Sequence, residues 1–453
     1  MTKDLVVIVP GISGSVLGKN GQTAWGVSAG AIWRGIVSGG LDGLQVTDET
    51  GSDELGDGVT VEGIMPDVHM IPGLWKIDGY TGFGVNLAAR MGRAISDGIV
   101  YFPYDWRRDN RVSARAFAKR ILPALRDWRQ KVGNDAKLTI IAHSMGGLVS
   151  RYFIECLEGW KDTRQLITFG TPFRGSLNAV GFLSNGFAKK IGPLTIDATS
   201  VLRSVSSVYQ LLPTYECVDA GDGVLRAVDQ VAIPGLDAKR VQDARRFHEE
   251  IAMAAAKNRE IEGFKTVTVT PLLSSTQPTF QSGKVKGTGV ELLMVRGGKD
   301  EGGDGTVPMV SAIMQTMQTT DGFFVKGIHG SLQATDAALE FSVGQLSAAD
   351  VSLDRLRSTD EGGTISFALD DAYPQGLLPL RAAVADVTER KLTAEAAHAE
   401  TGEKVQTTLW PDTDGVFKSD NLTLSEGIWR VTVAGERSKP VTDIALVVAG
   451  TAA

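Results

Sequence analysis

The sequence predicts a mixed α/β fold in which a mainly parallel sheet is covered on both faces by helices and carries a cap or lid insertion. A small all-β, sandwich-like domain follows it. Three observations carry this reading. Short apolar runs alternate with amphipathic helical stretches along most of the chain, as parallel strands joined by crossover helices require. One of these runs leads directly into His143-Ser144-Met145-Gly146-Gly147 and then a helical pattern. After Gly344 the texture changes to short β-rich runs separated by turn residues. The expected units are 1–358, with the insertion around 171–264, and 359–453.

A chain of 453 residues has room for two or three folding units with substantial cores. Lys and Arg number 46 against 53 Asp and Glu, and the net charge of −7 argues against a nucleic-acid binder, whose affinity comes from neutralising phosphates. Small molecules, proteins and lipid surfaces remain. Cys156 and Cys217 are too few for a disulfide framework and favour a reducing compartment. The apolar run Leu5–Val9 sits beside Asp4 and ends in Pro10-Gly11 without a small-residue cleavage pattern, so it reads as a first strand and not as an export signal. No stretch reaches the roughly 20 apolar residues that span a bilayer. The expectation is a cytoplasmic protein that meets a membrane, if at all, as a peripheral protein on its inner face.

The elements follow in order. After Leu5–Val9, the next strand is Ile99–Phe102, and Pro103 then forces a loop through Tyr104-Asp105-Trp106-Arg107. Between Val112 and Val132, Phe117, Ile121, Leu125 and Trp128 share one helical stripe, leaving Arg115, Lys119, Arg126 and Arg129 for a solvated face. Leu138–Ala142 is a strand. The helix after it has Val149, Tyr152, Phe153, Cys156 and Leu157 on one face, which makes Cys156 a core residue. Further strands are expected at Leu166–Phe169, Thr266–Thr270, Val290–Val295 and Phe323–Val325, and a closing helix at Ser347–Ser358. In the β-rich region the clearest runs are Ile365–Leu369, Thr407–Trp410 and Trp429–Val433, with turns at Asp412–Gly415 and Ser425–Gly427.

A serine between a core strand and a helix, with small residues two before and two after it, forms a nucleophile elbow; here those residues are Ala142 and Gly146. The turn places the Met145 N–H at a helix N-terminus, where it faces a developing oxyanion. An elbow takes its partners in the order serine, acid, histidine. Of five histidines, His69 precedes the nucleophile, His143 lies within the elbow, His248 reads as solvated and His398 belongs to the β region, which leaves His329 as general base. Asp300, Glu301 and Asp304 compete for the acid. Asp304 is favoured because Gly303 and Gly305 permit a sharp turn, and a calcium loop is disfavoured because the stretch lacks alternating ligand spacing. The loop Pro10-Gly11-Ile12-Ser13-Gly14 offers the Ile12 N–H as second oxyanion donor, and it lacks the spacing of a phosphate cradle or dinucleotide fingerprint. No metal and no cofactor is expected.

With these residues in view, the chain resembles the lecithin:cholesterol acyltransferase-like family, which includes phospholipid:diacylglycerol acyltransferases and a lysosomal phospholipase A, within the α/β-hydrolase superfamily. The likeness is carried by Val9–Ser15, Pro103–Arg107, Ala142–Gly146 and Gly303–Pro308, with His329 following, and more weakly by Phe169–Pro172 and Ser207–Pro213. It implies Ser144, Asp304 and His329 as a catalytic triad, the N–H groups of Ile12 and Met145 as the oxyanion hole, and Tyr104, Asp105, Trp106 and Arg107 as substrate-binding residues. The implied chemistry moves a fatty acyl group from a glycerophospholipid to a sterol, another lipid alcohol or water. The alternatives are a carboxylesterase, thioesterase or amidase on a soluble substrate, and an interaction module whose β domain binds a protein partner. In the first reading, His69–Trp75, with Trp25, Trp33 and Phe83, supplies a mobile lid at a lipid surface; a core role for these aromatics is the alternative.

Overall fold

In the computed structural model the described residues are 3–26, 42–47, 51–66, 68–71, 75–191, 194–347, 363–370, 372–374, 378–385, 387–412 and 416–448. Six parallel strands build the central sheet: β1 (Leu5–Val9), β2 (Ile99–Tyr101), β3 (Leu138–His143), β4 (Thr163–Phe169), β5 (Thr268–Leu273) and β6 (Phe323–Phe324). Their order is β6-β5-β4-β3-β1-β2. β1 and β3 are buried along their whole length, which is why each reads as an unbroken apolar run. In β3, Ala142 pairs with Val9 on one side and Thr168 on the other, so the chain leaves the sheet at its centre. That carboxyl edge is where open α/β sheets bind ligands.

Helices cover both faces. In α1 (Asn110–Val132), Phe117, Ile121 and Leu125 form the buried stripe, each contributing about 1.5–3 kcal/mol, and Asp109 caps the first turn through the Arg111 N–H. In α2 (Gly146–Cys156) the buried face includes Val149 and Phe153. Phe153 meets Phe117 with ring centroids 4.7 Å apart, which joins the two helices. The stretch expected as a cap divides in two. Its first part, including α3 (Leu177–Asn185), lines the cavity above Ser144, whereas α4 (Ala238–Asn258) packs Phe247 and Ile251 against Leu148 of α2. α5 (Asp336–Leu346) closes the helical layers. Among the described residues no helix is long and apolar enough to cross a membrane.

The strand expected at Val290–Val295 is present as Gly289–Leu293, paired antiparallel with Ser282–Lys286 in a separate small sheet. Leu293, Met294 and Val295 are exposed, so an apolar run here does not mark a buried strand. Cys156 and Cys217 are both free thiols, and burial pushes Cys156 up to about 12.

The C-terminal domain is one eight-stranded sheet made of β7 (Thr364–Phe367), β8 (Ala372–Pro374), β9 (Arg381–Ala385), β10 (Leu392–His398), β11 (Lys404–Pro411), β12 (Val416–Lys418), β13 (Gly427–Ala434) and β14 (Val441–Val448). Its order is β7-β9-β12-β11-β10-β13-β14-β8. The sheet curls around its own core of Ile365, Phe367, Leu392, Leu409, Trp429 and Val431. The helix expected at Ser347–Ser358 and the boundary after 358 lie outside the described residues, apart from Ser347, as do Trp33, Leu74 and most of the turn Asp412–Gly415.

Candidate active site

The elbow is held by backbone geometry. Ser144 has φ +51°, a left-handed conformation that a non-glycine residue adopts only when its surroundings impose it. Its N–H donates to the Phe169 carbonyl at 2.8 Å, tying the turn to β4. Gly146 is required two residues on, because a Cβ there would lie 2.4 Å from the Pro10 carbonyl oxygen.

His329 ends the loop after β6, at the first residue of the 3-10 turn His329–Ala334, and its Nε2 lies 2.9 Å from Ser144 Oγ. Its Nδ1 lies 2.7 Å from Asp304 Oδ2. A carboxylate only accepts, so Nδ1 carries the proton and, in the neutral ring, Nε2 accepts from the serine hydroxyl. Asp304 is fully buried and its other oxygen accepts the N–H groups of Thr306 and Val307 at 2.9 and 2.7 Å. The His329 N–H also donates to the Asp304 carbonyl at 2.8 Å, fixing the two loops together. The competing acids are engaged elsewhere. Asp300 accepts from Gln281 and the Gly302 N–H, while Glu301 pairs with Arg296.

The N–H groups of Ile12 and Met145 have no acceptor among the described residues, and Ile12 lines the same cavity as Ser144 and His329. This arrangement can take a proton from a serine and hold an imidazolium.

His143 lines the same cavity but bonds to neighbours other than Ser144. Its Nε2–H donates to the His329 carbonyl at 2.9 Å, which leaves Nδ1 to accept from the Tyr80 hydroxyl at 2.7 Å. The Tyr80 oxygen in turn accepts the Gly11 N–H at 3.0 Å. One chain of hydrogen bonds thus runs from the Ile12 loop to the His329 loop. Burial, reinforced by the neighbouring His329, pushes His143 down to about 3, so it stays neutral. His248, expected to be solvated, is half-buried. It meets the Gln210 carbonyl at 2.8 Å, and burial lowers it to about 4.

Tyr104, Asp105, Trp106 and Arg107, expected to bind substrate, do not line the cavity: Tyr104, Trp106 and Arg107 are buried and Asp105 is half-buried, bound by Arg107. The Tyr104 hydroxyl donates to the Pro10 carbonyl at 3.0 Å, and its N–H donates to Ser15 Oγ at 2.9 Å. Trp106 stacks edge-on against Trp25 at 4.9 Å and its carbonyl accepts the Ser207 hydroxyl at 2.5 Å. Arg107 binds both oxygens of Asp105, at 2.9 and 2.7 Å, and reaches Asp57 at 2.8 Å. This segment therefore supports the loop that carries Ile12. Trp25 and Phe83, offered for a lid, are core residues; the side chains of the segment His69–Trp75 lie outside the described residues.

The cavity above Ser144 measures about 490 Å³, in the range of small-molecule sites, and its walls include Phe182, Phe187, Phe280 and Leu292. Sequence reasoning missed Tyr80 and Gly170. Gly170, with φ +55°, sits where a Cβ would lie 2.7 Å from Asp304 Oδ2 and 2.9 Å from His329 Nδ1. The sequence signal available for it was its place directly after β4 in Phe169-Gly170-Thr171-Pro172. Tyr80 had none, being 69 residues from Gly11.

Several solved structures are similar to this chain. The Tle4-Tli4 complex shares 15% identity with a TM-score of 0.48, covering 77% of this chain and 100% of that one. Lipase BlEst2 of Bacillus licheniformis in its mature form shares 13% with a TM-score of 0.31, covering 76% and 92%. Phospholipase PlaB of Legionella pneumophila shares 9% with a TM-score of 0.35, covering 98% and 92%. No curated protein matches the sequence. Residues 76–293 match the family model of lecithin:cholesterol acyltransferase.

Proposed function

We propose that this protein is a serine lipase, phospholipase A or lipid acyltransferase acting on ester bonds of glycerophospholipids. The observation that carries the reading is the hydrogen-bonded line Ser144–His329–Asp304 beneath an apolar cavity, in a chain whose residues 76–293, Ser144 among them, match the family model of lecithin:cholesterol acyltransferase.

In this mechanism Ser144 Oγ attacks the ester carbonyl carbon while its proton passes to His329 Nε2. Asp304 stabilises the imidazolium, and the carbonyl oxygen, now negative, takes the N–H groups of Ile12 and Met145. Such a donor is worth on the order of 10²–10³ in rate. The C–O bond to the alcohol breaks, His329 returns the proton to the leaving oxygen, and an acyl-serine remains. Water or a lipid alcohol then attacks the acyl carbon with His329 as base, the bond to Ser144 Oγ breaks, and His329 returns the proton to that oxygen.

Lipid mass spectrometry of mixed phospholipid vesicles, with and without a sterol or diacylglycerol acceptor, tests the reading. Free fatty acid and lysophospholipid from wild type but not from Ser144→Ala are expected, and acylated acceptor would mark a transferase. Hydrolysis of soluble esters with phospholipids untouched would place the protein among the carboxylesterases instead.

A further inference from the structure

The cavity above Ser144 is not closed by the α/β domain alone. Ala368 and Leu369, which follow β7, and Asp443 of β14 line it together with Ser144, His329 and Phe280. All three come from the C-terminal sheet.

Their placement is built. Asp443 is buried, and its two oxygens accept the Leu369 N–H and the Ile444 N–H, each at 2.8 Å, which pins the segment after β7 to β14. Leu369 itself is buried in the core of the curled sheet, whereas Ala368 beside it is exposed. The same sheet grips the loop that carries His329. Ile328 packs against its core, and the Ser331 hydroxyl donates to the Thr442 carbonyl at 3.1 Å. In the other direction, Ile428, Ile444, Leu446 and Val448 belong to the hydrophobic core of the α/β domain. The two domains therefore share both a core and a cavity.

We infer that the C-terminal domain forms one wall of the acyl-chain subsite and that Ala368 and Leu369 set the length of fatty acyl chain it accepts. The inference rests on the acyl-enzyme reading above and deepens it. Apolar walls such as Phe182, Phe187 and Leu292 suit a hydrocarbon chain, and each methylene admitted or excluded changes kcat/KM by about fourfold. A wall from a separate domain lets chain length be set independently of the elbow, since Ala368 and Leu369 follow a strand of the C-terminal sheet whereas Ser144 follows β3 of the central one.

The test uses the full chain and p-nitrophenyl esters from acetate to palmitate. Ala368→Trp adds bulk at an exposed position and is expected to lower the ratio of kcat/KM on dodecanoate to that on acetate, by about fourfold for each methylene it excludes. Leu369→Ala is expected to raise the ratio for the longest chains. Should Leu369→Ala fail to fold, Ala368→Trp still decides. An unchanged chain-length profile in folded Ala368→Trp overturns the inference and leaves the acyl-enzyme reading standing. Wild-type rates in Ser144→Ala on every ester would overturn that reading itself, and the inference with it.

Discussion

Removing the Tyr80 hydroxyl as Tyr80→Phe tests the hydrogen-bond chain behind the site. Tyr80 is 1% exposed, and its oxygen both accepts the Gly11 N–H and donates to His143 Nδ1. Phenylalanine keeps the ring but strands both partners, each buried. An unsatisfied buried group costs about 1–3 kcal/mol, and the space of one hydroxyl with two partners holds a water poorly. Allowing for partial relaxation, the loss of stability is about 2–4 kcal/mol. Gly11 precedes Ile12, so the N–H proposed to face the oxyanion shifts as well, and kcat is expected to fall by roughly 10- to 100-fold, short of the full loss of a donor. Urea unfolding followed by tryptophan fluorescence reads the first effect. Steady-state kinetics on one ester reads the second, with KM little changed. A variant within 0.5 kcal/mol and about twofold of wild type in kcat would refute the reasoning.

Three further outcomes are expected. Gly170→Ala forces a Cβ at positive φ against Asp304 and His329 and should lower kcat by at least about 10²-fold while the fold survives by circular dichroism. Arg107→Met leaves Asp105 and Asp57 without their shared guanidinium and should cost about 2–3 kcal/mol, discounted for their partial exposure; Arg107→Lys should not restore the bidentate contact. His143 and His248 titrate at about 3 and about 4 in the folded state, below the ordinary 6.5. Between pH 6.5 and 4 the unfolded chain therefore binds more protons, so stability falls on acidification by roughly 1 kcal/mol per pH unit for each histidine. His248→Gln should flatten that slope in a pH series of urea titrations.

What the sequence made legible was local. The elbow could be read because a buried strand, two small residues and a helix sit side by side within a dozen positions around Ser144. His329 and Asp304 followed from chain order and from the glycines beside Asp304, and the structure brings both to Ser144. Roles set by tertiary burial were not legible. Pro103–Arg107 is conspicuous in the sequence, yet nothing local says that Tyr104 turns toward Pro10 and away from the cavity. The strand at Val290–Val295 could be read from composition, but not that it, as Gly289–Leu293, pairs antiparallel with Ser282–Lys286 in a separate small sheet. The contribution of Ala368, Leu369 and Asp443 depends on two domains meeting, which no spacing within either reveals.

The central claim is that Ser144 carries the acyl group, and trapping that intermediate tests it most directly. Wild type, Ser144→Ala and His329→Ala are mixed with a slowly released acyl ester, quenched in acid within seconds, and measured by intact mass and peptide mapping. The account predicts one acyl group on the peptide holding Ser144 in wild type, none in Ser144→Ala, and acylation slowed by orders of magnitude in His329→Ala. An acyl group mapped to another residue, or ester turnover by Ser144→Ala at the wild-type rate, would contradict it.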